Sequence, residues 1–243
     1  MNLSEPSWRE AMTGTISFYD AEGNRLHTIY VGAAPEYGKA DFFRRFTSEI
    51  ERVKERYPEV HRIGLADGAD TNWQFLSPHI QTAMLDFFHA SGYLGAVAQA
   101  VLPDDKKAQK AWLDEHCHQL KHTPGAAESL YQEMLKVQQN TSGLPQLLQD
   151  KLDATVTYYK NHRHQMDYAG ALEQHHPIGS GVTEAACKTL IKQRLCFSGM
   201  RWKQTGASAI LCLRSLVLTV QRWIQFWQKI DLLGLPSTAL ASN

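Results

Sequence analysis

Several things are scarce in this sequence, and each scarcity narrows the field. Only four cysteines (Cys117, Cys187, Cys196 and Cys212) occur in 243 residues, none at CxxC spacing. That argues against a disulfide-stapled secreted scaffold and fits a reducing cytoplasm. Net charge is also missing: 25 Lys and Arg balance 25 Asp and Glu, so overall charge makes no case for a polyanionic partner. The first stretch, Met1 to Ala11, carries Glu5, Arg9 and Glu10 where a secretory leader needs an apolar run. The most apolar window, Ala207 to Val220, is 14 residues long and contains Arg214, so it reads as a buried core helix and no membrane partner is expected. There is no internal repeat and no low-complexity segment.

Composition is otherwise that of a globular chain, with 43% hydrophobic and 21% charged residues. The charge is unevenly placed. Between Ala185 and Ile230 stand Lys188, Lys192, Arg194, Arg201, Lys203, Arg214, Arg222 and Lys229, without one Asp or Glu. Such a segment reads as a footprint for phosphate.

Thr13 to Tyr19 and Arg25 to Val31 alternate around the turn chemistry of Asp20 to Asn24, which predicts a β-hairpin. Apolar residues at Phe42, Phe43, Phe46, Ile50 and Val53 predict a helix over 39–57 that stops before Pro58. A strand over 61–66 ends in Asp67-Gly68, a helix follows over 72–81, and 82–89 reads as another strand. Helical patterning then runs to the end, broken at Gly143-Leu144-Pro145, at the Gly179-Ser180-Gly181 loop and at Ser198-Gly199. The last helix is expected over 206–229. This gives a part of strands and flanking helices over 1–100 (the partial catalytic core of the resemblance given below), a helical insertion over 101–176, C-terminal helices over 177–232 and a tail over 233–243.

Few residues stand out for chemistry, and each has a plainer reading. Asp67 closes a strand before a glycine, where a carboxylate is held rigidly and a ligand can approach; Asp-Gly is also an ordinary turn. Asp86 and His89 in LDFFHA form either a site pair or a helix cap. Glu184 lies in the first turn of a helix, where an acid also simply complements the dipole. Lys188 and Lys192 follow it at four-residue steps on one face. His116, Cys117, His118 and His122 match no closed tetrahedral motif, so no zinc is expected. A metal hydrolase built on these histidines ranks last among the functions weighed. Trp202, Trp223, Phe226 and Trp227 suit base stacking, but at helical spacing beside an apolar run they read as core.

The order of these pieces is that of an RNase H-like nucleotidyl transferase. The words WREAMTGTISFYDAEGNRL, LADGADTNW and LDFFHA, and above all PIGSGVTEAACKTLIKQRLCFSGMRW followed by GASAILCLRSL, resemble the ISKra-type insertion-sequence transposases of bacteria, from about Trp8 to Trp227. The resemblance implies a DDE enzyme whose carboxylates bind Mg2+ or Mn2+ for in-line attack on DNA phosphodiesters. It implies an α/β fold with an RNase H-like mixed sheet, a helical insertion and C-terminal helices. Matched position by position, it assigns metal binding and catalysis to Asp67 and Glu184, and a supporting role to Asp86 and His89. It assigns DNA contacts to Lys188, Lys192, Arg194, Arg201 and Lys203. The implied partners are transposon ends and target DNA, with self-association.

The family's first Asp lies on a Val-Asp-Gly strand upstream of the segment matching WREA, and this chain has no room for one before Trp8. The expectation is therefore a C-terminal portion of a transposase with its first strand missing, complemented by an upstream-encoded N-terminal portion. The alternative is a catalytically inactive remnant that serves as a nonspecific DNA-binding or interaction module.

Overall fold

The computed structural model describes residues 10–34, 39–140 and 143–234. In chain order the elements are β1 (Met12–Tyr19), β2 (Arg25–Ala33), α1 (Lys39–Arg56), β3 (Ile63–Ala66), α2 (Asp70–Leu76), β4 (Thr82–Leu85), α3 (Phe87–Val101), α4 (Lys106–His122), α5 (Ala126–Gln139), α6 (Gln146–His162), α7 (Tyr168–Glu173), α8 (Gly181–Ala186), α9 (Gln193–Leu195), α10 (Gln204–Leu218) and α11 (Val220–Leu233). The chain is mixed α/β and divides into two compact units. The first holds β1, β2, α1 and α8 to α11; the second holds β3, β4 and α2 to α7.

In the first unit β1 and β2 pair antiparallel from Met12↔Ala33 to Phe18↔His27, with a bulge at Phe18/Tyr19. Asp20 closes the hairpin: its Oδ1 accepts the Asn24 amide at 2.7 Å. The two faces of the hairpin are covered by different helices, because successive side chains alternate. On one face Phe42, Phe46 and Ile50 of α1 are buried, and a Cβ on Gly14 would lie 2.8 Å from the Phe46 ring. On the other, Ala186, Leu190 and Leu211 form a small core. The outer edge of β2 is capped by hydroxyls: Gly32 N donates to Ser215 Oγ at 3.0 Å, and Tyr30 N to Thr219 Oγ1 at 3.1 Å. Side-chain acceptors thereby satisfy amides that an edge strand would otherwise leave open.

In the second unit β3 and β4 pair parallel, Ile63↔Thr82 through Ala66↔Leu85. They share one core with the helices that follow, in which Leu85, Leu94, Leu120, Leu130, Leu152 and Tyr159 are buried.

Several expectations are corrected. The strands do not form one mixed sheet: among the described residues there are two sheets of two strands each. A single sheet needs a strand hydrogen-bonded to both the hairpin and the parallel pair, and no described segment supplies it. The helix expected over 72–81 ends at Leu76 and passes into a 3-10 turn, Ser77–His79. Pro78 has no amide hydrogen to continue the helix, and Ser77 Oγ donates to the Trp73 carbonyl at 2.6 Å. The strand expected over 82–89 stops at Leu85, because Asp86 caps a helix that starts at Phe87.

The final helix is two helices, bent by 100° at Thr219. Thr219 Oγ1 donates to the Ser215 carbonyl at 2.8 Å, and the residue leaves helical geometry at ψ 81°. Beyond the bend α11 carries no buried residue, so Trp223, Phe226 and Trp227 are not core, and Trp202 is 42% exposed. The apolar run over 207–220 is likewise only half a core helix. Ala207, Leu211 and Ser215 are buried, while Leu213, Val217 and Val220 are exposed. No single helix among the described residues is long and apolar enough to cross a membrane. The expected tail lies outside the described residues from 235 on.

Candidate functional site

The residues singled out by sequence are carried by both units. In the second unit Asp67 and Asp86 each follow the last paired residue of neighbouring parallel strands, Ala66 and Leu85. The carboxyl ends of parallel strands are where open α/β sheets bind ligands. The two carboxylates are used differently. Asp86 is fully buried. Its Oδ1 accepts the His89 amide at 2.8 Å and the His89 ring Nδ1 at 3.1 Å. Its Oδ2 accepts the Ser180 amide. Burial works to raise its pKa, but the hydrogen bonds from Ser180 and His89 together outweigh it and hold the carboxyl below its ordinary value. Asp86 is thus the N-cap of α3 and the anchor of the Ile178–Ser180 loop, which is also held by Phe87 N donating to the Ile178 carbonyl at 2.9 Å. His89, half exposed, completes the pair from the first turn of α3.

Asp67 is half-buried and makes a local turn: Oδ1 accepts the Ala69 amide at 3.1 Å and Asn72 Nδ2 at 2.9 Å. Its Oδ2 stays outside those bonds and is the kind of hard oxygen that Mg2+ takes. Asp86 takes donors on both oxygens, yet its carboxylate and the His89 ring can each still offer a ligand atom to a metal ion. Gly68 is required by a close approach, since a Cβ there would lie 2.4 Å from the Tyr158 ring. That ring is stacked on Tyr93 with centroids 4.0 Å apart, so it cannot easily retreat. Burial, with Tyr93 and the Asp67 and Asp86 carboxylates adding, pushes the Tyr158 phenol far above its usual range. Gly68→Ala should cost about 1–3 kcal/mol through overpacking. Urea unfolding checks it: Tyr158→Ala in the same chain should absorb much of the Gly68→Ala penalty.

In the first unit Glu184 lies exposed on α8, which continues as a π-helical turn, Cys187–Lys192, into α9. The wider turn is held by side chains: Thr189 Oγ1 donates to the Ala185 carbonyl at 2.9 Å, and Arg214 Nε to the Thr189 carbonyl at 3.0 Å. Such turns concentrate at functional sites. Glu184, Lys188 and Lys192 line one open groove of about 930 Å3, together with Cys187, Cys196 and Phe197. The structure sorts the cations of this segment into two kinds. Arg214 braces the π-turn, and Arg222 Nη1 donates to Glu49 Oε1 at 2.8 Å. Lys188, Lys192, Arg194, Arg201 and Lys203 are exposed, and none is in an ion pair among the described residues.

Sequence reasoning missed Tyr158, and placed Ser180 only in a loop and Arg214 only in the basic row, without their bonds to Asp86 and to the Thr189 carbonyl. Nothing in their local spacing marks them, because each acts on a residue distant in the chain. Of the histidines once weighed for zinc, His116 stacks on Trp112 with centroids 3.6 Å apart and bonds its carbonyl through Nδ1 at 2.8 Å. Packing within α4 accounts for it. Scans of protein-family models, of curated proteins and of solved structures return no match to this chain.

Proposed function

We propose that this chain belongs to a DDE transposase of the ISKra type, holding DNA along the groove of α8 and α9. The observation that carries this reading is the row of exposed, unpaired cations beginning at Lys188, directly after Glu184, on a segment free of acids. Lysines and arginines so placed release counterions when they meet phosphates, whatever the base sequence. The words that resemble the family, Pro177 to Trp202, cover the same segment.

In this reading the fold is a partial RNase H-like core. Two observations support it: parallel strands that end in Asp67 and Asp86, and a hairpin whose β1 pairs on one side only among the described residues. The resemblance assigns Mg2+ or Mn2+ to Asp67 and Glu184; the metal, when bound, would activate the attacking oxygen and steady the leaving one. Asp67 contributes through Oδ2, while Asp86 and His89 hold the loop that leads into α8. The partners are transposon ends and target DNA in the cytoplasm, and further copies of the chain.

A second reading, a DNA-binding module without chemistry, is favoured by Asp20, the acid next to β1, being engaged in its turn. The expected result for the 243-residue polypeptide alone is duplex binding without Mg2+-dependent nicking. Glu184→Gln should leave binding intact or slightly tighter. Robust nicking by the polypeptide, abolished by Glu184→Gln, would mean that another acid of this chain completes the triad, and would overturn the second reading.

A further inference from the structure

Beyond the groove, α9 gives way to a segment that has no regular structure from Cys196 to Lys203. It holds three large apolar side chains in solvent: Phe197 at 56% exposure, Met200 at 44% and Trp202 at 42%. The segment is shaped rather than trailing. Met200 N donates to the Phe197 carbonyl at 3.1 Å, and Gly199 sits at φ +75°, a conformation that favours glycine. Exposed Arg194, Arg201 and Lys203 alternate with these apolar groups. Water-exposed aromatics are costly to keep unless something covers them. A protein partner recognised by this surface would need an apolar patch ringed by acids. A nucleic acid supplies both halves at once, because every base has a flat face and every nucleotide a negative charge.

We propose that the Phe197–Lys203 turn is a platform for unpaired DNA bases at the end of the groove, with Trp202 the principal stacking surface. This deepens the DNA-binding reading and rests on it. It names the form of DNA preferred: a duplex that continues into a short single strand, as at a cut or melted end. The groove cations take the duplex phosphates, Arg201 and Lys203 follow the strand that leaves it, and the exposed rings take its bases.

The experiment compares three labelled probes by fluorescence anisotropy with the full chain: a blunt duplex, the same duplex with a short single-stranded extension, and that extended duplex with abasic sugars in the extension. The expected order is tightest binding to the extension with bases, with the blunt and abasic probes both weaker. Stacking of one base predicts a preference of about 5- to 150-fold. Trp202→Ala should reduce that preference to a few-fold at most, and Trp202→Tyr should restore most of it. Circular dichroism of both variants guards against loss of fold, and exposure of the side chain makes such loss unexpected. Equal affinity for the blunt and extended probes, or a preference that survives removal of the bases, overturns the platform and leaves the duplex-binding reading standing. Failure to bind any of the three probes overturns both.

Discussion

Replacing Asp86 by alanine should destabilise the second unit by about 2–4 kcal/mol, the largest loss expected from any single change at the candidate sites. The carboxylate has no exposure, so no water waits to take its place. Losing the cap of α3 costs about 0.5–2 kcal/mol. Leaving the Ser180 amide without its Asp86 acceptor in a partly buried position adds about 1–3 kcal/mol. The effect also has a pH signature. Because the folded-state carboxyl titrates below its unfolded value, its contribution is complete above the ordinary aspartate range, and it is lost as the pH falls through the depressed value. Urea unfolding followed from pH 7 into the acid range should therefore show the wild type and Asp86→Ala converging as acidity rises. A constant gap between them across that range would mean that Asp86 acts through packing and not as an ionised acceptor.

The second large effect concerns binding. Reversing Lys192 and Arg201 together, each to glutamate, removes two exposed cations from an acid-free segment and puts repulsion in their place. Two lost phosphate contacts correspond to roughly 60-fold weaker duplex binding at about 0.1 M salt, before repulsion is counted. Neither residue is buried, so thermal stability should be nearly unchanged. Arg214→Gln makes the useful contrast. It removes a brace of the π-turn and not an exposed cation, so its effect should appear in stability as well as in binding.

The parts of this structure that are local in sequence were legible. The hairpin follows from alternation around Asp20–Asn24, α1 from the Phe42, Phe46, Ile50 stripe, and the strand before Asp67 from its apolar run into Asp-Gly. The row Glu184, Lys188, Lys192 was legible as one helix face and lines one groove, even though part of it is π-helical. What was not legible depends on distant partners. Thr219 breaks the last helix because Tyr30 presents an amide to its hydroxyl, a contact between positions 189 apart. The strand over 82–89 was overextended because Leu85, Phe87 and Phe88 look alike in composition, while the capping bonds of Asp86 to His89 and Ser180 decide where the backbone turns. Trp202, Phe226 and Trp227 were read as core from spacing alone, and spacing is silent on whether a helix has anything to pack against.

The central claim, that the exposed cations after Glu184 hold the DNA backbone, is tested most directly by a salt titration of binding to a blunt duplex. Contacts from Lys188, Lys192, Arg194 and Arg201 predict that the logarithm of affinity falls with the logarithm of salt concentration at a slope of roughly −3 to −4. In the Lys192→Glu, Arg201→Glu chain the slope should flatten to about −2 or less. A wild-type slope near zero, or a slope that the double reversal leaves unchanged, would contradict the account and place any DNA contact elsewhere on the molecule.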